Sequence, residues 1–395
     1  MFKSISRTVW LVSLVSMLTD TASEMLYPIL PMYLRSIGFS VLLIGVLEGI
    51  AEATAGLSKG YFGKQSDVSG KRVPFVQLGY FLSAISKPMM AVFVYPGWIF
   101  LARTIDRLGK GIRTGARDAM LSEEATPQTK GKVFGFHRSM DTLGAVMGPS
   151  IALLYLHFYP NDYPTLFYLA FLPGLLAVFT TLLLKEPKKT RESLPTSVGF
   201  LSFFSYWRAS SRAYRKVVIG LLVFTLFNSS DVFLLIKAKE AGLEDTMVMG
   251  IYVFYNLTYA LSAYPLGMLA DRIGLKTVFI VGLFLFAAVY AGMAFVTDPS
   301  HIIGLFFLYG LYAAATEGVS KAWIATLSNK EEMATAIGTF SGFQSICALL
   351  ASSLTGFIWF SLGAPTAFFL TSCVTLVVVV YFTRLPRPVG PNVAS

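Results

Sequence analysis

One segment of the chain, WIFLARTIDRLGKGIRTGARDAM at residues 98–120, combines apolar residues with charges at helical spacing. The charged positions are Arg103, Asp106, Arg107, Lys110, Arg113, Arg117 and Asp118. At about 100° per residue they fall within an arc of about 140°, so a helix would carry them on one face. In a membrane that face must contact protein, water or a bound molecule, because lipid does not solvate charge. The excess of bases favours an anion, unless the helix leaves the membrane near Lys110 and the later charges are simply solvated.

Four carboxylates occupy two other apolar segments as pairs one helical turn apart, Asp20 with Glu24 and Glu48 with Glu52. Residues at positions i and i+4 share one face of a helix. Two carboxylates that lie close together in a low dielectric cannot both ionise easily, which suits them to reversible proton binding. The alternative is that they form permanent ion pairs with Lys87 or with the bases of residues 98–120.

The remaining candidates are polar residues elsewhere in apolar segments: Asp141, Asn228, Asp231, Tyr255 and Glu317. Asp141, which follows Arg138 by three positions, is a further candidate for proton binding. The other four are predicted to line a cavity, although aromatic faces more often pack against other helices. Glu317 and Lys321 lie one turn apart and are expected to neutralise each other.

The composition indicates a membrane protein. Of 395 residues, 55% are hydrophobic and 14% charged, with a mean hydropathy of +0.64, whereas a soluble domain carries about 25% charged residues. The three histidines and two cysteines form no recognisable catalytic or metal-ligand pattern, and no phosphate-binding loop is present. We therefore expect no enzyme, no metal and no other cofactor, and an ion gradient as the source of energy.

Hydropathy predicts twelve membrane spans. They centre on residues 8–34, 41–62, 74–95, 97–118, 133–157, 164–184, 217–236, 246–268, 276–296, 302–326, 334–360 and 364–383. The first is too long for a signal-peptide core and is expected to be retained.

The net charge of +10 comes from lysines and arginines that cluster in alternate loops. This is the positive-inside pattern of membrane proteins, so nucleic acid is not an expected partner. Both termini and the central basic linker are predicted to be cytoplasmic, in the inner membrane if the organism is a bacterium. The expected domains are an N-terminal six-helix bundle at 1–185, the linker at 186–215 and a C-terminal six-helix bundle at 216–395.

A short sequence recurs half a chain apart, as GKQSDVSGKR after span two and GMLADRIGLK after span eight. The shared positions are Gly63, Asp67 and Gly70 in the first copy and Gly267, Asp271 and Gly274 in the second, an offset of 267 − 63 = 204 residues. Glycines let two helices approach closely. An aspartate near a helix end can accept hydrogen bonds from the first N–H groups of a neighbouring helix. The repeat therefore predicts two equivalent halves joined by contacts that can be released.

This repeated sequence resembles the signature of the major facilitator superfamily, G-x-x-x-D-[RK]-x-G-[RK]-[RK]. The second copy also has the expected base, Arg272, whereas the first has Val68 at that position. The resemblance implies twelve spans in two parallel six-helix repeats that move about a central site to carry a small solute. It also implies that the glycines, the aspartates and Arg272 of the two copies act in gating.

Two further patterns are similar to those of the twelve-span drug–proton antiporters of that family. Span one ends in Pro28-Ile29-Leu30-Pro31, and span five contains Gly135, Gly144, Gly148 and Pro149 with the spacing G-x8-G-x3-G-P. A packing face of small residues is the simpler interpretation of the second pattern. The antiporter pattern R-x-x-Q-G-x-G of span four is only partly kept, because Lys110 replaces the glutamine and Arg113 the last glycine. That departure favours an anion over a drug cation.

The leading hypothesis from the sequence is a monomeric, proton-coupled antiporter that exports a small organic solute. The alternative is proton-coupled uptake or exchange of an organic anion or a metal chelate, which the bases of span four favour. A lipid flippase or a non-transporting sensor of the same fold is less consistent with the charges of span four, because lipid handling predicts a large apolar cavity.

The predicted topology can be tested by cysteine labelling. Cys347 and Cys373 are replaced, and single cysteines are introduced at Ser193 and Ser395. Because both positions are predicted to be cytoplasmic, neither should react with a membrane-impermeant maleimide in intact cells, and both should react after permeabilisation. Ready labelling of Ser193→Cys from outside would reverse the orientation.

Overall fold

The computed structural model describes residues 5–27, 29–186, 204–296 and 298–386, and every regular element within these ranges is a helix. In the first half, span one comprises α1 (Arg7–Leu26) and α2 (Leu30–Ser36), and spans two to six are α3 (Val41–Ser69), α4 (Val73–Val92), α5 (Pro96–Glu123), α6 (Lys130–Phe158) and α7 (Tyr163–Thr181). In the second half, a short helix α8 (Phe204–Ala209) precedes span seven, which comprises α9 (Arg212–Phe227) and α10 (Val232–Glu240). Spans eight to twelve are α11 (Asp245–Ile273), α12 (Leu275–Phe295), α13 (Pro299–Thr326), α14 (Met333–Leu362) and α15 (Ala364–Arg384). This is the predicted all-helical arrangement of twelve spans.

Length and composition alone identify eight of these spans as able to cross a membrane, within the described residues. Spans two, three, four and eight do not meet that criterion, because they carry more polar and charged side chains. Span four is the extreme case, with seven charged residues from Arg103 to Asp118. The four more polar spans therefore depend on other helices, rather than on lipid, to surround their polar faces.

Spans one and seven are each interrupted, which the sequence analysis did not predict. Span seven leaves the helical form between Phe227 and Val232, where the sequence is Asn-Ser-Ser-Asp. Short polar side chains compete for backbone hydrogen bonds, and here the N–H of Ser230 donates to Ser352 Oγ at 3.3 Å instead of to its own helix. Span one is broken between Leu26 and Leu30, within about three residues of the equivalent place of the repeat. Pro28 itself lies outside the described residues.

The two halves meet along two seams. Span two packs against span eleven, and span five packs against span eight. Within the first half, span five also packs against span one, and span four packs against spans two and three. We call the side of the bundle that carries Arg7 and Arg384 the inner side. The predicted linker at 186–215 lies largely outside the described residues, and α9 begins at Arg212, four residues before the predicted boundary at 216.

The glycine pattern of span five faces two different helices. A Cβ atom on Gly148 would lie 2.6 Å from the Met25 nitrogen and 2.6 Å from the Thr21 oxygen of span one, and Gly144 is in similarly close contact with that helix. Gly135 instead meets the backbone of span eight around Ala263. Pro149 lies within the same helix. The small residues therefore let span five approach both partners at backbone distance.

Substitution of Gly148 tests this close packing. Gly148→Ala forces a methyl group against immovable backbone and should lower stability by about 1–3 kcal/mol. Gly304→Ala is the matched control, because a Cβ atom at that helical position meets nothing within 4 Å, and it should be neutral or slightly stabilising. The measurement is the thermal unfolding midpoint of each purified variant. Equal midpoints for the two variants would contradict the packing described.

Candidate functional site

An ion-paired network joins spans two, three and four in the outer part of the first half. The guanidinium of Arg103 donates from Nε to Glu48 Oε1 at 2.9 Å and from Nη2 to Glu48 Oε2 at 2.8 Å. Its Nη1 also donates to Asp106 Oδ2 at 3.3 Å, and Lys87 Nζ donates to Asp106 Oδ1 at 2.7 Å. Lys87 therefore pairs with an acid of span four, and not with the carboxylates of spans one or two for which the sequence analysis considered it.

Arg107 extends this network toward the space between the halves. Its Nη1 lies 3.2 Å from Glu52 Oε1, and its Nη2 lies 4.0 Å from Glu48 Oε2. The Glu52 side chain remains 46% exposed although it lies in the middle of a membrane span. Both acids of span two are thus engaged by arginines of span four, which is the arrangement expected of permanent ion pairs.

The two acids of span one have a different environment. Asp20 and Glu24 line a small polar pocket of about 50 Å³ together with Arg107, Lys110 and Arg113. Asp20 makes no ion pair or hydrogen bond with any described residue, and Glu24 accepts one hydrogen bond, from Tyr252 of span eight at 3.3 Å. The structure therefore brings the acids of span one together with the bases of span four, and leaves these acids without the bidentate arginine partner that Glu48 has.

Lys110 and Arg113 are the cations of this pocket that lack a carboxylate partner. Lys110 is exposed at mid-span, and its ammonium group contacts no acid within the described parts of the chain. Arg113 is 5% exposed, donates to Ser83 Oγ and lies over the Tyr80 ring at 4.5 Å. Since Arg113, Arg117 and Asp118 are buried among helices, the alternative in which the later charges of span four are simply solvated is wrong.

A second group of charges joins the two halves nearer the inner side. Lys321 of span ten donates to Asp118 of span four at 2.7 Å, and Arg138 of span five pairs with Glu317 of span ten. The expectation that Glu317 and Lys321 neutralise each other is therefore wrong, because each faces an opposite charge from the other half. We call these two pairs the inner ion pairs.

The inner ion pairs are supported by further contacts within the first half. Asp141 accepts from Arg138 at 2.6 Å and from the Ser16 hydroxyl at 2.7 Å. Arg117 donates to Asp118 at 2.9 Å and to Ser16 at 3.0 Å. Asp141 is thus held by an arginine and a serine, unlike Asp20.

Sequence reasoning missed the partners that form the inner ion pairs, although the repeat contained a signal for them. At the offset of 204, Glu317 corresponds to Arg113 and Lys321 to Arg117. Spans four and ten thus carry charges at equivalent positions. Equivalent helices of two repeats face each other across the central axis, so these charges could have been predicted to meet across the halves.

The polar residues of span seven lie among tyrosines of the second half. Asp231 accepts hydrogen bonds from Tyr309 at 2.6 Å and from Tyr255. Asn228 donates to the Tyr312 hydroxyl at 3.0 Å. Asp231 forms no ion pair with any described residue, so Tyr255 contributes a hydrogen-bond donor to a carboxylate and not only a packing surface.

The two aspartates of the repeat each bind the N-terminus of a helix in the opposite half. Asp67 accepts from the Ala334 N–H at 3.3 Å and from the Thr335 N–H at 2.6 Å, at the start of span eleven. Asp271 accepts from the N–H groups of Gly131 and Lys132, each at 2.7 Å, at the start of span five. The first N–H groups of a helix have no partner of their own and carry its positive dipole end, so a carboxylate is well placed there. We call these contacts the aspartate latches.

The other residues of the repeat shape the latches. A Cβ atom on Gly267 would lie 3.0 Å from the Cα of Gly135, and Gly63 is equally close to the backbone of span eleven. Gly70 and Gly274 adopt φ angles of 67° and 101°, where a side chain would be strained. Arg272 is exposed. A groove of about 2120 Å³ opens beside the latches on the inner side and is not lined by Asp20, Glu24 or Lys110.

Comparison with known proteins identifies the family. The profile of the Major Facilitator Superfamily matches residues 12–254 and 218–395. The chain belongs to this superfamily. It is therefore an integral, multi-pass membrane transporter of a small molecule and not an enzyme, and transporters of this kind use ion gradients and need no cofactor. In the described residues, no group of three or more His, Cys, Asp and Glu side chains is placed to hold a metal ion.

Two relatives in sequence and one solved structure illustrate what this major facilitator is similar to. An uncharacterized MFS-type transporter of Methanocaldococcus jannaschii is 32% identical over 366 residues, covering 90% of this chain and 89% of its own. A homolog of the multi-drug resistance efflux pump PmrA from Lactococcus lactis is 23% identical over 358 residues, covering 85% of each chain. The crystal structure of the human organic anion transporter MFSD10 has the same fold, with a TM-score of 0.82, 18% identity and coverage of 95% of this chain and 99% of its own.

A double-mutant cycle tests the inner ion pairs. Asp118→Asn leaves Lys321 and Arg117 as buried, unpaired cations and should be strongly destabilising, by about 3–5 kcal/mol. Adding Lys321→Gln removes one of the two unpaired charges and should recover part of that loss, with a coupling of about 0.5–3 kcal/mol. The readout is the thermal inactivation midpoint of the single and double variants. Strictly additive effects would show that the two side chains do not interact.

Proposed function

We propose that this major facilitator transports a small organic anion by alternating access, and that proton movement through Asp20 and Glu24 is coupled to it. The observation that carries the proposal is Lys110, which is exposed at mid-span and has no acidic partner among the described residues. An unpaired cation in a membrane interior is costly, so such a position is expected to have a function.

The pairing of the neighbouring arginines explains why Lys110 is the cation expected to bind an anion. Arg103 is already paired with Glu48, and Arg107 with Glu52. Their charges are compensated and attract an incoming anion only weakly. Lys110, together with Arg113 at the pocket wall, remains available for a carboxylate, sulfonate or phosphate group of a substrate.

Protonation of the span-one acids would change the charge of the same pocket. With Asp20 and Glu24 ionised, two negative charges lie near Lys110 and oppose the binding of an anion. A proton on either acid removes one of these charges and strengthens anion binding, and by reciprocity a bound anion strengthens proton binding. An anion and a proton therefore favour each other, which suits transport in the same direction.

Proton-coupled antiport with export is the second candidate. The glycine spacing of span five favours it, and the Lactococcus lactis relative is described as an efflux pump homolog. In an antiporter a bound proton must weaken substrate binding, and this pocket does so only for a cationic substrate. The charge of the substrate therefore decides between the two modes. A monomer in the inner membrane, with both termini cytoplasmic, is part of the proposal in either case.

The proposal is tested by transport into proteoliposomes under an imposed pH gradient, with a panel of organic anions and amphiphilic cations. An anion should be transported with the proton. Lys110→Gln should raise its half-saturation concentration at least about tenfold, since a hydrogen bond to a charged group contributes about 1.5–3 kcal/mol. Lys216→Gln, an exposed lysine at the inner end of span seven, is the matched control and should behave as wild type. Transport of cations alone, unaffected by Lys110→Gln, would overturn the assignment of an anion.

Coupling is tested separately with Asp20→Asn and Glu24→Gln. Loss of the coupling acid should abolish accumulation driven by the pH gradient, while exchange of substrate for substrate continues because it needs no net proton movement. Glu48→Gln and Glu52→Gln should behave differently, since they leave Arg103 or Arg107 unpaired and should impair exchange as well. Accumulation that persists in both span-one variants would place proton coupling elsewhere.

A further inference from the structure

The polar residues at the break in span seven are not part of the proposed anion site. Between Phe227 and Val232 the chain presents Asn228, Ser229 and Asp231, in the middle of a membrane span. Interruptions of this kind free main-chain carbonyl groups, and in membrane transporters the freed carbonyls at the C-terminal end of a half-helix are suited to bind small cations.

Several oxygen atoms at this break accept no hydrogen bond from the residues that the structure describes. Asn228 uses its amide nitrogen to donate to Tyr312, and its Oδ1 is buried without a hydrogen bond. Ser229 is 4% exposed, and its hydroxyl and that of Tyr290 lie near each other without a hydrogen bond of good geometry. No described donor reaches the main-chain carbonyls of Leu226 and Phe227 at the end of α9.

The same break carries a single negative charge. Asp231 is held by the hydroxyls of Tyr309 and Tyr255 and forms no ion pair with a described residue. Each carboxylate oxygen therefore keeps a further lone pair. A carboxylate inside a membrane protein is costly unless a positive charge neutralises it, and the two tyrosines are neutral donors that fix its position without supplying that charge.

These observations point to one class of ligand, a small monovalent cation. We infer that the break in span seven is a sodium site, formed by the Asp231 carboxylate, Asn228 Oδ1, Ser229 Oγ and the carbonyls of Leu226 and Phe227. All the proposed ligand atoms are oxygens, which hard cations prefer. One carboxylate balances the charge of a monovalent cation, whereas a divalent ion would need further acids. No group of three or more His, Cys, Asp and Glu side chains in the described residues is placed to hold such an ion.

The inference goes beyond the proposed function and does not depend on it. Sodium binding at span seven of the second half would supply a second ion gradient, separate from the proton pathway of span one. It can be measured on the purified protein without a known organic substrate, so its failure would leave the anion proposal untouched.

Thermal unfolding of the full-length protein in detergent tests the site. Midpoints are measured in equal concentrations of sodium, potassium and choline chloride. Sodium should raise the midpoint over choline by roughly 2–5 °C when its concentration is about 100-fold above its dissociation constant. Potassium should have a smaller effect. Equal midpoints in the three salts would overturn the inference, and this comparison needs no variant.

Substitutions then locate the effect. Asp231→Asn and Asn228→Ala should abolish the difference between sodium and choline, and Ser229→Ala should reduce sodium affinity several-fold. Asp298→Asn, which removes an exposed carboxylate from an outer loop, is the matched control and should keep the full sodium effect. Size-exclusion chromatography verifies that each variant is folded. A sodium effect that persists in folded Asp231→Asn or Asn228→Ala would place the cation elsewhere and overturn the assignment.

Discussion

An ionised side chain in the interior of a membrane protein must be paired or hydrated, because its transfer out of water costs several kilocalories per mole. This constraint organises the polar residues of the present chain. Arginines of span four hold the acids of span two, and Lys87 holds Asp106. Asp118, Arg138, Glu317 and Lys321 pair where the two halves meet, whereas Arg113 is buried within the first half.

The charges between the halves fall into two layers with different consequences. Toward the inner side, the aspartate latches and the inner ion pairs connect the halves directly. Each of these contacts must break before the halves can separate on that side. Nearer the middle of the bundle, Asp20, Lys110 and Asp231 form no ion pair with any residue that the structure describes. A solute or an ion that supplies the missing charge can therefore be stabilised there, and its binding can change how firmly the halves remain together.

The two halves share the contacts that join them but differ in the charged residues of their equivalent helices. The aspartate latches are equivalent in sequence and share one hydrogen-bond position, since 271 − 67 and 335 − 131 both equal 204. By contrast, the positions of span ten equivalent to Arg103, Arg107 and Lys110 are Phe307, Leu311 and Ala314. The contacts that join the halves thus follow the repeat, whereas the proposed binding groups differ between the halves. An asymmetric solute suits such a site.

Much of this organisation could be predicted from the sequence, because it depends on local spacing. Hydropathy predicts the twelve spans, and the repeated GKQSDVSGKR and GMLADRIGLK sequences predict the two halves. The spacing of the charges in spans one, two and four places each set on a single helical face. Which acidic side chain pairs with which basic side chain could not be predicted in the same way. Asp20 with Glu24 and Glu48 with Glu52 have the same spacing, yet only the second pair forms ion pairs with arginines of span four, since this depends on how α3 and α5 pack. The break in span seven was also missed, because hydropathy does not register four polar residues inside a long apolar segment.

The central claim is that the two halves are held together on the inner side by carboxylates bound to helix N-termini. The most direct test of this claim is the distance between the halves. It is measured by double electron–electron resonance between spin labels at Gln128→Cys and Asn329→Cys in a cysteine-free background. These exposed positions lie on inner loops of opposite halves. With both latches intact, we expect a distribution dominated by one short distance. The combined Asp67→Asn and Asp271→Asn substitutions should add a population at longer distance, because neutral side chains no longer hold the helix dipoles. An unchanged distribution in the doubly substituted protein would contradict the account.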